Sequence, residues 1–216
     1  MTSRQFTFSL PHQETYTSET FFQSTANSNA YQWVNRWPEW PGQGLVIYGP
    51  PGSGKTHLAH VWQKKAQAIF LENFHNVQDL QSNVVLDGFN LLDYETDLFH
   101  FYNTSHEQKR FFLICTETPP NHWKIQLADL RSRLLSLPTV GLENPDDALL
   151  RAVLMKKLAD LQLRVSPKTL DYLLTRMPRT FETLHTFIST LNQRSLAEGQ
   201  KINIQTIRKV LESKID

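Results

Sequence analysis

The chain has 216 residues, of which 40% are hydrophobic and 20% are charged, and it carries a formal net charge of +1. This composition is typical of a folded globular protein with one domain, or with one domain and a small helical appendage. Because the net charge is close to zero, binding of DNA or RNA through a broad basic surface is not expected.

Cys115 is the only cysteine, which excludes an internal disulfide and a zinc site built from cysteines. The N-terminal sequence MTSRQFTFSLPHQ lacks the long apolar core of a secretory signal, and no uncharged apolar run is long enough to span a membrane. We therefore expect a cytoplasmic protein that has no membrane partner.

Residues 1–43 are rich in Ser, Thr, Gln and Asn and end in the tryptophan-rich stretch WVNRWPEWPG. Trp33 and Trp37 are four residues apart, so they share a face if this stretch is helical. Pro38 and Pro41 then end any helix.

From residue 44 onward, short apolar runs alternate with helical patterns. The predicted strands are residues 45–48, 68–71, 83–87, 110–116 and 139–142, and the predicted helices between them are residues 55–66, 97–105 and 127–136. This alternation predicts an α/β fold with a parallel sheet that helices cover on both faces.

After Pro145 the pattern becomes helical throughout. Four helices are predicted, within residues 146–163, 166–177, 179–199 and 203–213. Ser166 is a favourable N-cap for the second of them, and Pro167 suits the first helical position. These residues predict a small C-terminal helical bundle.

The first helix of the α/β region is preceded by a sequence that suits phosphate binding. The P-loop pattern is complete and consists of Gly49, Pro50, Pro51, Gly52, Ser53, Gly54, Lys55 and Thr56. It follows a predicted strand and opens a predicted helix, which is the context that such a loop needs. The glycines let backbone N–H groups surround phosphate oxygens, Lys55 would reach the β- and γ-phosphates, and Thr56 would bind Mg²⁺.

Asp87 ends the third predicted strand, where a Walker B aspartate would hold Mg²⁺, although Asp followed by Gly also favours a plain turn. The next residue is Gly88, at a position where a vigorous ATPase carries a second acid. A positioned base is worth roughly 10²–10⁴ in rate. Asp93, Glu95 or Glu117 would replace it only through an unusual geometry, so we expect weak intrinsic hydrolysis.

Arg131 and Arg133 lie in the predicted helix DLRSRLLS. An arbitrary pair of arginines on a helix usually faces solvent, but oligomeric P-loop ATPases place an arginine finger in this segment. His57 and His60 are three residues apart on the P-loop helix and have no third ligand at metal-binding spacing. We expect these two histidines to be packing or surface residues.

The order of these segments resembles that of a known family. FFQSTANSNA, the P-loop, Asp87, LICTETP, LADLRSRL and the helical C-terminal region resemble the AAA+ ATPase domain of DnaA initiators. They are more similar to the Hda family of DnaA-related regulators, particularly its alphaproteobacterial members. The resemblance covers nearly the whole chain.

This resemblance implies an AAA+ domain at residues 16–144, a helical lid domain at residues 145–216, bound ADP or ATP with Mg²⁺, and possible self-association. The chain leaves no room for the C-terminal DNA-binding domain of DnaA, so contact with DNA is expected only through a partner.

The N-terminal tail, residues 1–15, resembles the sliding-clamp-binding motif of the Hda family. Gln5 matches that motif, and Phe6, Phe8 and Leu10 supply its alternating apolar positions, with phenylalanine in place of the usual leucine at two of them. An extended segment of this kind can enter a surface groove. A short edge strand or a tail without a partner is the alternative interpretation.

The resemblance also implies roles for single residues. Thr116 takes the sensor 1 position beside the nucleotide, Asp87 assists in holding Mg²⁺, and Arg133 is the arginine finger. In the lid, Glu182 stands where DnaA has an arginine that contacts the nucleotide. Arg179, one helical turn earlier, is the candidate to replace it.

The function implied by the resemblance is negative regulation of DNA replication initiation. The protein, with ADP as its expected nucleotide, would be tethered to the sliding clamp of DNA polymerase III and would stimulate hydrolysis of DnaA-bound ATP. The alternatives are a helicase loader or other replication ATPase that hydrolyses its own ATP, and a small-molecule kinase. A loader would be expected to carry an acid after Asp87 and a basic face for DNA.

Overall fold

The structure is a computed structural model that describes residues 17, 20–71, 74, 81–88, 90–161, 165–198 and 207. The described residues belong to two compact units, with the division between Asp146 and Asp147. The clamp-binding tail predicted for residues 1–15 lies outside the described residues, so the division of the chain into three regions stays a prediction.

The described part of the first unit contains five strands and four α-helices. The strands are β1 (Gly44–Tyr48), β2 (Ile69–Phe70), β3 (Val84–Leu86), β4 (Phe112–Thr116) and β5 (Thr139–Gly141), and the helices are α1 (Ser28–Arg36), α2 (Lys55–Ala66), α3 (Glu95–Glu107) and α4 (Ala128–Leu135). Two 3₁₀ turns, Leu91–Tyr94 and Pro120–His122, precede α3 and α4.

The strands form one parallel sheet in the order β2-β3-β4-β1-β5. In register, Ile47 of β1 lies beside Cys115 of β4 and Val140 of β5. The strand that precedes the P-loop therefore lies in the interior of the sheet, and β4 separates it from the strand that leads to Asp87. This arrangement confirms the predicted α/β fold.

Both faces of the sheet are buried. On β1, Leu45 and Ile47 pack with side chains of α1 and α2, whereas Val46 packs with side chains of α3 and α4. All three residues are fully buried, and burial of a large aliphatic side chain contributes roughly 1.5–3 kcal/mol. The predicted inward residues of α2, Leu58, Ala59 and Trp62, are also fully buried.

The tryptophan-rich stretch differs from its sequence interpretation in one respect. Helix α1 ends at Arg36, so Trp33 lies within the helix and Trp37 lies beyond it. Pro38 prevents the helix from continuing, and Trp37 and Trp40 instead pack against Trp62 of α2.

The second unit contains α5 (Asp147–Asp160), α6 (Pro167–Arg176) and α7 (Phe181–Glu198). Helix α6 begins as predicted, because the Ser166 side chain accepts a hydrogen bond from the backbone N–H of Thr169 at 3.2 Å. Leucines of all three helices form a common core with Phe187 and Ile207. Ile207 is the only described residue of the predicted fourth helix.

Within the described part of the chain, none of the helices combines the length and the apolar character needed to cross a membrane.

Candidate nucleotide-binding site

The P-loop joins β1 to α2, Asp87 follows β3, and Thr116 ends β4. Because these strands are parallel and adjacent, their carboxyl ends meet at one edge of the sheet. Ligands of open α/β sheets bind at this edge, where the chain connections leave in opposite directions. The structure therefore brings the predicted phosphate-binding and Mg²⁺-binding residues to the same edge.

Two glycines give the loop its shape. A Cβ atom added to Gly49 would lie 2.6 Å from the carbonyl oxygen of Leu142, which is too close for any side chain. Gly54, which caps α2, has φ +99°, in the left-handed region where residues with side chains are strained. The loop backbone therefore requires glycine at these two positions.

Lys55 is folded onto the loop. Its Nζ atom donates hydrogen bonds to the carbonyl oxygens of Gly49 at 2.7 Å and Pro50 at 2.9 Å. Burial lowers the pKa of Lys55 below its ordinary value of 10.5, and the nearby Cys115, Asp87 and Glu117 oppose this effect. An anion entering the loop would favour the charged amine in the same way as the carboxylates do.

Cys115 lies in β4 beneath this lysine, with its Sγ atom 3.8 Å from the carbonyl oxygen of Lys55. Burial raises the pKa of the Cys115 thiol well above its ordinary value of 9.0, so the thiol is neutral at pH 7. The negative charges that act on Lys55 at neutral pH are therefore Asp87 and Glu117. The prediction that Cys115 is a small buried hydrophobic residue is confirmed.

The loop also holds a polar group available for a ligand. Ser53 is 3% exposed, and its hydroxyl has no hydrogen-bond partner among the described residues. This Oγ atom lies 3.1 Å from the position that a Cβ atom on Gly49 would take, which places it inside the turn of the loop. A phosphate oxygen is an acceptor that satisfies such a hydroxyl.

Thr56 and Asp87 form the other half of the site. The Thr56 hydroxyl donates a hydrogen bond of 2.6 Å to Oδ2 of Asp87. A hydroxyl and a carboxylate are oxygen ligands of the kind that Mg²⁺ uses beside phosphates, with water filling its other positions. Among the described residues there is no cluster of three or more His, Cys, Asp or Glu side chains that would bind a metal without such a ligand. The residues present therefore fit Mg²⁺ bound together with a nucleotide.

Gly88 has φ +83°, and a Cβ atom added to it would meet no atom within 4 Å.

Two of the acids considered as substitutes for a catalytic acid after Asp87 have other partners. Asp93 accepts a hydrogen bond from Asn90 at 2.9 Å, and Glu95 accepts hydrogen bonds from the backbone N–H groups of Gln126 and Leu127. Glu117 is the remaining acid, and it acts electrostatically on Lys55.

Thr116 lies at the carboxyl end of β4, in register with Tyr48 at the end of β1. Its hydroxyl donates a hydrogen bond of 3.3 Å to the carbonyl oxygen of Thr118. His57 hydrogen-bonds through Nε2 with the carbonyl oxygen of Thr17 at 2.8 Å and packs edge-on against Phe21, which agrees with its expected packing role.

Arg133 lies near the end of α4 and is half-buried, whereas Arg131 on the same helix is exposed. The Arg133 guanidinium carbon lies 5.2 Å from the ring centre of Phe99 and 5.4 Å from that of Tyr102, both on α3. These two aromatic partners were not predicted from the sequence. Their spacing within the predicted helix 97–105 places them on one face, but nothing in the sequence indicates that this face meets α4.

In the second unit, Arg179 forms an ion pair with Asp147 at 2.9 Å, and both side chains are largely exposed. Glu182 is exposed in the first turn of α7. The predicted clamp-binding residues Gln5, Phe6, Phe8 and Leu10 lie outside the described residues.

Two family models match separate parts of the chain. The bacterial DnaA ATPase domain matches residues 12–90, and the lid domain of Hda matches residues 147–211. A protein of Haemophilus influenzae described only as uncharacterized is 28% identical to this chain over an alignment of 190 residues, which covers 77% of this chain and 80% of that protein. The chromosomal replication initiator protein DnaA of Cutibacterium acnes is 24% identical over 85% of this chain, which spans only 45% of that protein.

Solved structures show the same fold. Domain III of the Thermotoga maritima replication initiation protein DnaA matches with a TM-score of 0.76 and 22% identity, over 93% of this chain and 97% of that chain. AMPPCP-bound DnaA from Aquifex aeolicus matches with a TM-score of 0.68 and 21% identity, over 84% of this chain and 66% of that chain.

The family prediction is thus confirmed in both parts of the chain, whereas the predicted likeness to alphaproteobacterial members stays a prediction. With a DnaA-type ATPase domain followed by an Hda lid, the chain is a DnaA-related AAA+ protein of the Hda family.

Proposed function

We propose that this DnaA-related replication regulator binds ADP or ATP with Mg²⁺ in its P-loop and, in that state, stimulates hydrolysis of ATP bound to DnaA. One observation carries the proposal: the site has the residues that hold a nucleotide, but glycine follows Asp87. Lys55, Ser53 and the Thr56–Asp87 pair supply charge, hydrogen bonds and Mg²⁺ ligands. Gly88 supplies no base for water, and Asp93 and Glu95 have other partners.

A site of this kind binds its nucleotide but hydrolyses it slowly. Loss of a positioned base lowers the rate by roughly 10²–10⁴. We therefore propose that ADP is a sufficient ligand and that the nucleotide stabilises the active shape of the protein.

Arg133 is proposed to act in trans, as an arginine finger on the phosphates of DnaA-bound ATP. Its cation rests on two aromatic rings, and among the described residues it forms no ion pair. No carboxylate among these residues therefore offsets its charge or competes with a phosphoryl group. A finger of this kind is worth roughly 10³–10⁵ in rate.

The N-terminal tail is proposed to bind the DNA polymerase III sliding clamp through Gln5, Phe6, Phe8 and Leu10. A clamp on DNA would then bring the protein close to DnaA and raise its effective concentration without new contacts at Arg133. The variant Gln5→Ala is expected to lose clamp binding while ADP binding is unchanged. Gln13→Ala, outside the motif, serves as the matched control.

The deciding experiment is a single-turnover assay of labelled ATP pre-bound to DnaA. The protein is added with ADP, in the presence and absence of clamp loaded on DNA. We expect clamp-dependent acceleration by the natural protein and by Arg131→Ala, and its loss in Arg133→Ala. The exposed Arg131 is the matched control because it lies on the same helix and carries the same charge. Acceleration by Arg133→Ala equal to that of the natural protein would refute the role of Arg133 in trans.

A second candidate function, an ATPase that hydrolyses its own ATP, is favoured by Glu117. This acid lies close enough to Lys55 to oppose the lowering of its pKa by burial, and it directly follows the sensor 1 candidate Thr116. If Glu117 positions water, the protein alone turns over ATP and Glu117→Gln abolishes that turnover. Under the first proposal, the natural protein and Glu117→Gln are equally slow.

A further inference from the structure

Helix α3 directs three side chains toward α4. Glu95, Phe99 and Tyr102 are separated by four and three residues, so they lie on one face of α3. Glu95 contacts the beginning of α4, and the two rings contact Arg133 near its end. One stripe of α3 therefore touches both ends of the helix that carries the proposed finger.

Glu95 binds the backbone directly before α4. Its two carboxylate oxygens accept hydrogen bonds from the backbone N–H of Gln126 at 2.9 and 3.0 Å, and one of them also accepts from the N–H of Leu127 at 3.0 Å. Leu127, the residue at the cap position, has no side-chain oxygen to do this. A carboxylate at a helix N-terminus also interacts favourably with the helix dipole. Glu95 thereby ties the chain that enters α4 to α3.

Phe99 and Tyr102 hold the guanidinium group itself. The two ring centres lie at nearly equal distances from the guanidinium carbon, 5.2 and 5.4 Å, which restricts the long and otherwise mobile side chain. A carboxylate would hold Arg133 as firmly, but it would neutralise the charge and compete with a phosphate. Aromatic rings orient the cation and leave its N–H donors available.

We propose that Glu95, Phe99 and Tyr102 are positioning residues for Arg133, which set the register of α4 and the direction of the guanidinium group before DnaA binds. This inference rests on the proposed function of Arg133 in trans. A pre-oriented finger lowers the barrier of the reaction without adding contacts to the partner. Loss of the rings therefore lowers the maximal rate of stimulated hydrolysis and leaves the affinity for DnaA unchanged.

The test uses the double variant Phe99→Leu/Tyr102→Leu in the single-turnover assay over a range of protein concentrations. We expect the maximal rate to fall about tenfold, the combined size of two cation–π interactions at a half-buried site, while the half-saturating concentration stays unchanged. Tyr102→Phe keeps the ring and should retain the natural rate. Phe22→Leu, which truncates an exposed aromatic side chain elsewhere, is the matched control.

The same double variant is then placed in the Arg133→Ala background. If the rings act through Arg133, their removal causes no further loss of stimulated hydrolysis in that background. An equal further loss in that background, or a natural maximal rate for the double variant, overturns the inference. Stimulation by Arg133→Ala at the natural rate overturns the proposed function instead, so the two failures are distinguishable.

Glu95→Gln keeps the test decisive if the leucine variants do not fold, since it keeps the shape of the side chain and removes its charge. For this variant we expect a lower maximal rate and an unchanged half-saturating concentration. The midpoint of thermal unfolding should also be unchanged. A natural maximal rate in a variant whose α4 amide groups show faster hydrogen exchange would refute the role of Glu95.

Discussion

The hydroxyl of Thr56 and the carboxylate of Asp87 are joined by a hydrogen bond of 2.6 Å, across 31 positions of sequence. Thr56 lies in the first turn of α2 and Asp87 follows β3, which is separated from β1 by β4. The contact therefore connects the P-loop to a strand that is not its neighbour in the sheet. It also places the two proposed Mg²⁺ ligands side by side.

Replacement of Thr56 by valine should remove the benefit that Mg²⁺ gives to nucleotide binding. A hydrogen bond to a charged group contributes about 1.5–3 kcal/mol, so we expect ADP affinity in the presence of Mg²⁺ to fall roughly 10- to 100-fold. Isothermal titration calorimetry with ADP, in Mg²⁺ and in EDTA, measures this difference. Thr104→Val is the control, because that hydroxyl donates a hydrogen bond to the carbonyl oxygen of His100 in its own helix. Equal Mg²⁺ dependence in Thr56→Val and the natural protein would contradict the assignment.

Nucleotide binding should be linked to proton uptake at alkaline pH. Burial lowers the pKa of Lys55 below 10.5 in the empty site, and the negative charge of a bound phosphate raises it again. A proton is therefore taken up on binding when the pH is near or above the lowered pKa, and ADP affinity falls as the pH rises through that range. Well below that pKa, Lys55 is charged in both states and contributes no uptake.

The measurement is calorimetric titration of ADP at pH 9 in two buffers of different ionisation enthalpy. The ADP phosphates are fully ionised at this pH, so the uptake belongs to the protein. The Lys55→Arg variant stays charged, so whatever ADP binding it retains should show no proton uptake. The control Lys65→Arg, on the same helix, should take up as many protons as the natural protein. Proton release at pH 9, or uptake that persists in Lys55→Arg, would show that another group is responsible.

The P-loop and its helix were predictable from sequence because they lie in one short segment. The P-loop and α2 were predicted with the bounds that the structure shows, since the glycine pattern and the helical spacing lie in one short segment. The contacts of Glu95, Phe99 and Tyr102 were not predictable in this way. They depend on how α3 packs against α4, and that packing follows from the order of strands in the sheet, which periodicity alone does not give.

The backbone at Gly88 should disfavour any other residue. Gly88→Ala places a side chain at φ +83°, so we expect the free energy of unfolding to fall by about 1 kcal/mol. Chemical denaturation measures the change. Gly42→Ala is the matched control, because a Cβ atom there also meets no neighbour and its φ lies outside the left-handed region. A stability loss in Gly88→Ala no larger than in Gly42→Ala would contradict the argument.

The same conformation bears on the missing acid. Space exists beside Gly88, so the absence of a side chain is not steric. A glutamate introduced there would either change the backbone conformation or be strained in it. Its side chain would also point in a different direction from that of a residue in an extended strand. The lack of an acid directly after Asp87 and the turn at Gly88 are therefore one structural feature.

The ion pair of Arg179 with Asp147 offers a test of the lid arginine. Both side chains are largely exposed, so the pair contributes at most about 1 kcal/mol, and Arg179 must give up this contact if it turns to a nucleotide. Asp147→Asn should then tighten ADP or ATP binding by up to about fivefold. Arg179→Ala should weaken binding, and the double variant should equal Arg179→Ala because Asp147 acts only through Arg179.

Asp171→Asn is the matched control, since it breaks the exposed pair with Arg151 in the same unit and leaves Arg179 in place. Calorimetry with ADP and with ATP gives the affinities of all four variants. If Asp147→Asn and Arg179→Ala both bind as the natural protein does, Arg179 does not contact the nucleotide. Glu182 would then occupy the lid position without a basic substitute, and discrimination between ADP and ATP would rest on the α/β unit alone.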